Sequence, residues 1–394
     1  MSFSFSFDID ASELDQDQIL TEPLNHLNLT DDETPIASTS SIPHSSVPLG
    51  QLLATLPPLL SYTPVQVKVS STPSKPVTLL RRDLFDARFQ ILNQDEENPY
   101  APQPLEDDKG KQKEEQRPED RFIDEGSDLV KGVYEGGLKT WECSLDLVDC
   151  LDQRGYTFDS DLEVEKVRGK SVLEVGCGTA VPTCALFARL LNEIRQSPTP
   201  EGEKPKRRTR IHLQDYNKQV LSLITLPNLL LTYAHHVILN GTASTSSPDA
   251  DEDTPTPQFK VPGEFDVDPE FLQQFEQLLE REGIDLEFSE GDWSGMKEEG
   301  FDIVLTSETV YSLPSLPPLL DLLEAAAKGK EEEEEHLCLV ACKRIYFGVG
   351  GGELEFRRRV EERGGKVESV WGEGTGKGKS EGVGRTVLKV EWKK

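Results

Sequence analysis

Ser171-Val-Leu-Glu-Val-Gly-Cys-Gly-Thr-Ala180 joins an apolar strand, an acid, a Gly-x-Gly turn and the start of an apolar helix within ten residues. Glycines let the backbone approach a ligand closely, and a helix N-terminus favours negative charge. Such a turn marks the nucleotide end of a doubly wound α/β domain. On its own it does not separate one adenosine-bearing cofactor from another.

The neighbouring strand ends narrow the choice. Asp215 closes a second apolar run in Ile-His-Leu-Gln-Asp-Tyr-Asn, where a carboxylate accepts the hydroxyl protons of a ribose. It lies 39 residues beyond Gly176, whereas a dinucleotide fingerprint expects about 20. Discounting the polar loop 196–209 leaves 25, so spacing alone does not decide, and an acid capping the next helix is the competing use. Gly291-Asp292-Trp293 follows a third strand, with a carboxylate for an adenine amino group and an indole to stack on the base. A structural Trp at the sheet edge is the alternative. Three consecutive strand ends bearing the glycine turn, Asp215 and Asp292-Trp293 on one sheet edge point to S-adenosylmethionine.

A fourth strand ends in Thr306-Ser-Glu-Thr-Val-Tyr311. Glu308 and Tyr311 therefore emerge where the reactive methyl group would point. Upstream, Gly136-Gly-Leu-Lys-Thr-Trp-Glu-Cys-Ser-Leu145 sets a Gly-rich turn before a helix that opens at Trp141. An indole face attracts a sulfonium by roughly 0.5–2 kcal/mol, although the same ring serves equally well as core. Tyr346-Phe-Gly-Val-Gly-Gly-Gly352 follows a fifth strand and suits a loop on the substrate side. It lacks the Gly-Lys-Ser/Thr of a phosphate loop.

Other features carry less chemistry. His235-His236 has no acidic or cysteine partner at ligand spacing, so no metal is expected. Lys328, Lys330 and Glu331–Glu335 read as a solvated helix end and loop. Lys204-Pro-Lys-Arg-Arg-Thr-Arg210 is a basic cluster that fits either a nuclear localisation signal or an ordinary exposed loop. The six cysteines form no Cys-x-x-Cys and read as reduced core thiols of a cytosolic or nuclear protein. A net charge of −30, from 42 basic and 72 acidic residues, disfavours direct binding of nucleic acid and suits a basic protein partner. No membrane span or secretory signal is expected.

These residues need a scaffold, and the pattern supplies one. Residues 1–47 are polar and acidic, lack Lys and Arg, and read as a disordered tail. Residues 48–93 carry a leucine patch, an alternating Val65–Val69 run and a short helix at Asp83–Leu92. This segment is too small to hold a core and is expected to dock on the main domain. A charged linker spans 94–124, and 125–394 is the catalytic domain. Seven strands are expected there, at Val172–Val175, Ile211–Leu213, Leu286–Ser289, Ile303–Thr306, Leu337–Ala341, Lys366–Val370 and Thr386–Glu391. Helices alternate with them on both faces, except that the last two strands arrive without one between them. That suits a Rossmann-like, seven-stranded class I methyltransferase sheet whose last strand inserts antiparallel.

Lys139-Thr-Trp-Glu-Cys143, Leu213-Gln-Asp-Tyr-Asn217, Gly291-Asp-Trp293, Leu305-Thr-Ser-Glu-Thr-Val-Tyr311 and Tyr346-Phe-Gly-Val-Gly-Gly-Gly352 together resemble the protein-histidine N-methyltransferase branch of the methyltransferase-like, seven-β-strand superfamily. The likeness covers about 128–392, and Arg81–Phe89 is similar to the family's lead-in. Ala180 stands where the family often has a third glycine. The resemblance implies methylation of a ring nitrogen of a histidine in a large-subunit ribosomal protein, by a monomer in cytoplasm and nucleus. Glu308 and Tyr311 are the expected catalytic pair. The expected cofactor set is Trp141, Glu142, Cys143, Ser144, Leu145, Glu174, Gly176, Gly178, Gln214, Asp215, Tyr216, Gly291, Asp292, Trp293 and Ser307. A lysine methyltransferase of the same fold, a non-catalytic binding module for a basic client and, more distantly, an NAD-dependent oxidoreductase are the alternatives.

Overall fold

The computed structural model describes residues 42–87, 90, 137–157, 164–200, 202–241, 259–297, 299–328, 336–346, 350–372, 375 and 383–392, all within the unit Ser40–Lys394. The expected tail up to residue 41, the linker 94–124 and the acidic run 331–335 lie outside these residues.

The chain begins with β1 (Ser45–Val47), α1 (Leu49–Leu53), β2 (Leu59–Val67) and β3 (Val77–Arg82). It continues through α2 (Glu142–Asp152), β4 (Ser171–Val175), α3 (Val181–Gln196) and β5 (Thr209–Asp215). Next come α4 (Lys218–Val220), a π-helical turn (Leu221–Thr225), α5 (Leu226–Gly241), β6 (Gly263–Asp266), α6 (Pro269–Arg281) and β7 (Ile284–Glu290). The remainder is β8 (Ile303–Ser307), α7 (Leu316–Ala326), β9 (Leu337–Lys343), α8 (Glu353–Glu362), β10 (Lys366–Gly372) and β11 (Arg385–Glu391).

The main sheet has the order β1-β7-β5-β4-β8-β9-β11-β10. β7, β5, β4, β8 and β9 run parallel, and β11 lies antiparallel between β9 and β10, as the strand pattern predicts. Apolar side chains alternate between the two faces with period two. Val172, Ile211, Leu213, Ile303 and Leu305 pack with α2, α3, α5 and α6. Leu173, Val175, Val304, Cys338 and Val340 pack with α7 and α8 on the other face. All six cysteines are buried and free.

Two features depart from the sequence reading. The sheet has an eighth strand, because Ser45–Val47, inside the stretch expected to be disordered, pairs antiparallel with β7. Its physical reason is an open sheet edge, whose unpaired backbone groups accept any extended segment. In addition, β3-β2-β6 form a separate three-stranded sheet, of which only part of β2 was expected. Residues 84–87 and 90 are helical, within the Asp83–Leu92 helix of the sequence reading.

This small sheet docks through buried polar bonds. The Arg82 N–H donates to Asn228 Oδ1 at 2.7 Å, and the Arg82 guanidinium reaches Asp86, Gln90 and the Leu223 carbonyl of the π-turn. Ser70 donates through its N–H and hydroxyl to Asp149 of α2, each at 2.6 Å. Trp371 of β10 donates to the same carboxylate at 2.6 Å. Lys218–Val237 is long and apolar enough to cross a membrane by length and composition, yet most of it is buried inside the fold as a core helix.

Candidate active site

Five parallel strands end on one edge, so their terminal residues share it. β4 delivers the glycine turn, where Gly176 and Gly178 have φ of 61° and 51°. A Cβ on Gly178 would come within 3.2 Å of the Gly137 backbone. The two loops therefore touch main chain to main chain, and any side chain would push them apart. Thr140 Oγ1 donates to Thr179 Oγ1 at 3.3 Å across the same junction.

Asp215 closes β5, is 5% exposed, and accepts from the N–H groups of Gly178 at 2.9 Å and Asn217 at 3.1 Å. Gln214 joins three segments. Its Oε1 accepts from Gly176 N–H at 3.1 Å and from Trp293 Nε1 at 2.7 Å, and its Nε2 donates to the Gly291 carbonyl at 2.9 Å. The Gly291 N–H in turn donates to the Asp215 and Tyr216 carbonyls. Asp292 Oδ1 caps the short 3₁₀ turn by accepting from Ser294 N–H at 2.7 Å. Residues 42–44 lie over this turn: Ile42 O accepts from Asp292 N–H, and Ile42 N–H donates to the Tyr216 hydroxyl.

Glu174 sits differently from its expected companions. Its carboxylate is 1% exposed and accepts from the N–H and hydroxyl of Thr183, anchoring the first turn of α3. Burial pushes its pKa up to about 8. Trp141 is the N-cap of α2, and Glu142, Cys143, Ser144 and Leu145 form its first turn. The Glu142 carboxylate points to Arg385 at 2.9 Å, and the Cys143 side chain is wholly buried.

Beyond β8, Ser307 is half-buried and Glu308 takes φ 59°, a left-handed conformation that costs a non-glycine residue about 1 kcal/mol or more. Its N–H donates to the Ala341 carbonyl of β9 at 2.9 Å, which holds the turn. The Glu308 side chain is 7% exposed. Its Oε2 accepts from the Tyr346 hydroxyl at 2.5 Å, whereas Oε1 is buried without a hydrogen-bond partner. Burial and the adjoining carboxylate raise the Tyr346 pKa strongly, so the phenol stays neutral. The Tyr311 and Tyr346 rings are 6.4 Å apart. Gly351 N–H donates to the Tyr311 carbonyl at 3.1 Å, and a Cβ there would fall 2.2 Å from that oxygen. Only glycine fits so close an approach.

The structure thus brings the glycine turn, Gln214, Asp215, the 291–293 turn and Glu308 to one sheet edge. The pieces present fit an adenosine-bearing methyl donor. There is a close backbone turn with positive φ, a buried carboxylate at the next strand end, and an indole held by Gln214. A further buried carboxylate oxygen, Glu308 Oε1 beyond β8, makes no hydrogen bond.

Sequence reasoning missed Lys343, whose ammonium lies 3.5 Å from Glu308 Oε1 and 4.9 Å from the Trp141 ring centroid. A charged residue ending the apolar Leu337–Cys342 run was the available signal, the same one that exposes Asp215. Away from the edge, His236 is held at a pKa of about 4 by burial and Arg195. Among the described residues no group of three potential metal ligands occurs. In the basic cluster, Arg207, Arg208 and Arg210 pair with Asp302, Asp285 and Glu287.

No family model matches the chain. Curated relatives do. Histidine protein methyltransferase 1 of Schizosaccharomyces pombe is 34% identical over 344 residues, covering 85% of this chain and 82% of the relative. Histidine protein methyltransferase 1 of Saccharomyces cerevisiae is 28% identical over 386 residues, covering 92% and 91%. The Bos taurus homolog is 31% identical over 250 residues, covering 60% of this chain and 51% of its own length. With the edge geometry in place and a relative aligned across most of both chains, this protein belongs to the histidine protein methyltransferase family.

Proposed function

We propose that this protein transfers a methyl group from S-adenosylmethionine to a ring nitrogen of a histidine in a basic protein, a large-subunit ribosomal protein. When bound, the cofactor supplies an electrophilic methyl carbon on a sulfonium. Gly176 and Gly178 would cradle it, Asp215 would take the ribose hydroxyls, and Asp292 with Trp293 would hold the adenine. Trp141 and the first turn of α2 would meet its amino-acid end. Glu174 would act through α3 rather than by contact, since its carboxylate is spent on Thr183.

The observation that carries the reading is the buried Glu308 carboxylate beside Tyr346 and Tyr311, whose Oε1 makes no hydrogen bond and lies 3.5 Å from the Lys343 ammonium. A neutral imidazole, with an ordinary pKa of about 6.5, already has a lone pair on one nitrogen. It needs alignment and the correct tautomer rather than a strong base. Glu308 Oε1 accepts the N–H of one ring nitrogen, which leaves the lone pair on the other aimed at the methyl carbon. Transfer would break the methyl–sulfur bond as the nitrogen–carbon bond forms, and the proton on the accepted N–H would then pass to Glu308 and on to solvent. Tyr346 holds the carboxylate in place, and Tyr311 flanks the ring. Positioning of this kind is worth about 7–11 kcal/mol in favourable cases.

The charge of −30 supports a basic client; action as a monomer, in cytoplasm and nucleus, belongs to the same proposal. The deciding experiment incubates the protein with labelled S-adenosylmethionine and a ribosomal fraction, then locates the label by mass spectrometry. Label on a histidine of a large-subunit protein is expected. Label on a lysine, or none, overturns the reading.

A further inference from the structure

Lys343 ends β9 with its ammonium 4.9 Å from the Trp141 ring centroid, 5.9 Å from that of Tyr346, and 3.5 Å from Glu308 Oε1. Two aromatic faces and a carboxylate are the surroundings that hold an ammonium ion. In a protein that methylated lysine, the incoming side chain would need such a slot. Here the chain's own lysine fills it.

The remaining groups around this slot leave its charge in place. Tyr346 and Cys143, and Cys342 beneath them, are kept neutral by burial. Arg385, which pairs with Lys343 across β9 and β11, is tied to Asp146 at 2.5 Å and Glu142 at 2.9 Å. Those two carboxylates of α2 thus share Arg385 as their cation. Within the slot itself, Glu308 and Lys343 form the ion pair.

We propose that Lys343 is a specificity-determining residue, whose ammonium occupies the cation slot beside Glu308 and so admits a neutral acceptor ring while excluding a lysine or an imidazolium. The proposal rests on the histidine reading above. A bare Glu308 would stabilise imidazolium, the form without a nucleophilic lone pair. A cation beside Glu308 reverses that preference and lowers the pKa of the bound ring. It also adds like charge against any second ammonium.

The test uses the full chain and the peptide around the labelled histidine. In Lys343→Met the acidic limb of kcat, which reports ionisation in the bound complex, should move to higher pH by about one unit. Lys343→Arg, which keeps the charge, should hold the wild-type limb. Calorimetry gives an independent readout with the protein loaded with the demethylated by-product. A peptide carrying lysine in place of the target histidine should bind Lys343→Met at least tenfold more tightly than wild type. A limb that stays put in Lys343→Met, or moves equally in Lys343→Arg, overturns the proposal, as does equal exclusion of the lysine peptide. Failure of the histidine reading itself shows separately, as label on another residue type in the wild-type reaction.

Discussion

The N–H of Gly178 donates to Oδ2 of Asp215 at 2.9 Å, so the glycine turn after β4 and the acid that closes β5 form one hydrogen-bonded unit. Asp215 Oδ1 is engaged by Asn217 N–H at 3.1 Å. A carboxylate oxygen can accept twice, so the acid can organise both loops and still receive a ligand's hydroxyls. The charge that binds also shapes the turn that binds.

Asp215→Asn should therefore weaken cofactor affinity at least tenfold, about 1.4 kcal/mol or more. One amide nitrogen would face a backbone donor, and hydrogen bonds to a charged group are worth about 1.5–3 kcal/mol. Calorimetry with the demethylated by-product measures it. Affinity unchanged from wild type contradicts the ribose assignment.

Glu308→Gln should lower turnover by roughly a hundredfold while cofactor affinity stays within about twofold. Gln keeps an acceptor oxygen and loses the charge, so alignment suffers more than folding. Tyr346→Phe should act in the same direction more weakly, since it frees Oε2 without removing the carboxylate. Single-turnover rates at saturating cofactor measure both. Wild-type turnover in Glu308→Gln removes its role.

Glu174 predicts a pH dependence of stability. Its folded pKa of about 8 lies above the ordinary carboxyl value of 4.5. Between those values the folded state binds more protons than the unfolded one, so this group's stabilising contribution is complete below pH 4.5 and is lost as pH rises toward 8. Glu174→Gln removes the titration and keeps an acceptor for Thr183. The variant should gain on wild type as pH rises through that window, by at most about 1.4 kcal/mol per unit. Urea unfolding at pH 5 and pH 8 checks the sign. A difference that is constant or shrinks with pH sinks it.

The parallel strands were legible because a strand buried on both faces is a continuous apolar run, as in Val172–Val175 and Ile303–Thr306. Such a run ending in a polar residue exposed Asp215 and Glu308, although the same signal at Lys343 was passed over. Ser45–Val47 was not, because two of its three residues are exposed and carry no period. It is a strand only because β7 offers an edge. Gly263–Asp266 escaped for a similar reason, being four residues that depend on pairing with β2. Side-chain direction was hidden altogether. The sequence placed Glu174 and Asp215 at equivalent strand ends, and only packing shows one turned to Thr183 and the other to Gly178.

The edge strand also predicts an effect on the cofactor site. Deleting residues 1–47 removes the Ile42 carbonyl that accepts from Asp292 N–H at 2.8 Å, and the Ile42 N–H that reaches the Tyr216 hydroxyl at 3.2 Å. It also strips the pairing of Ser45–Val47 with Phe288–Glu290. The turn carrying Asp292 and Trp293 would keep its bonds to Gln214 and Asp215 but lose its outer wall. Glu308 and Tyr346 lie at the ends of β8 and β9, across β4 and β5 from that wall, and should be unaffected. The truncated protein should therefore show a cofactor KM raised by roughly tenfold, worth about 1.4 kcal/mol, with kcat at saturation within about twofold. Its exposed β7 edge should also make it associate at high concentration, visible by light scattering. If KM and affinity match the full chain, the segment merely covers the sheet edge; if kcat falls instead, the wall reaches the reacting end of the site.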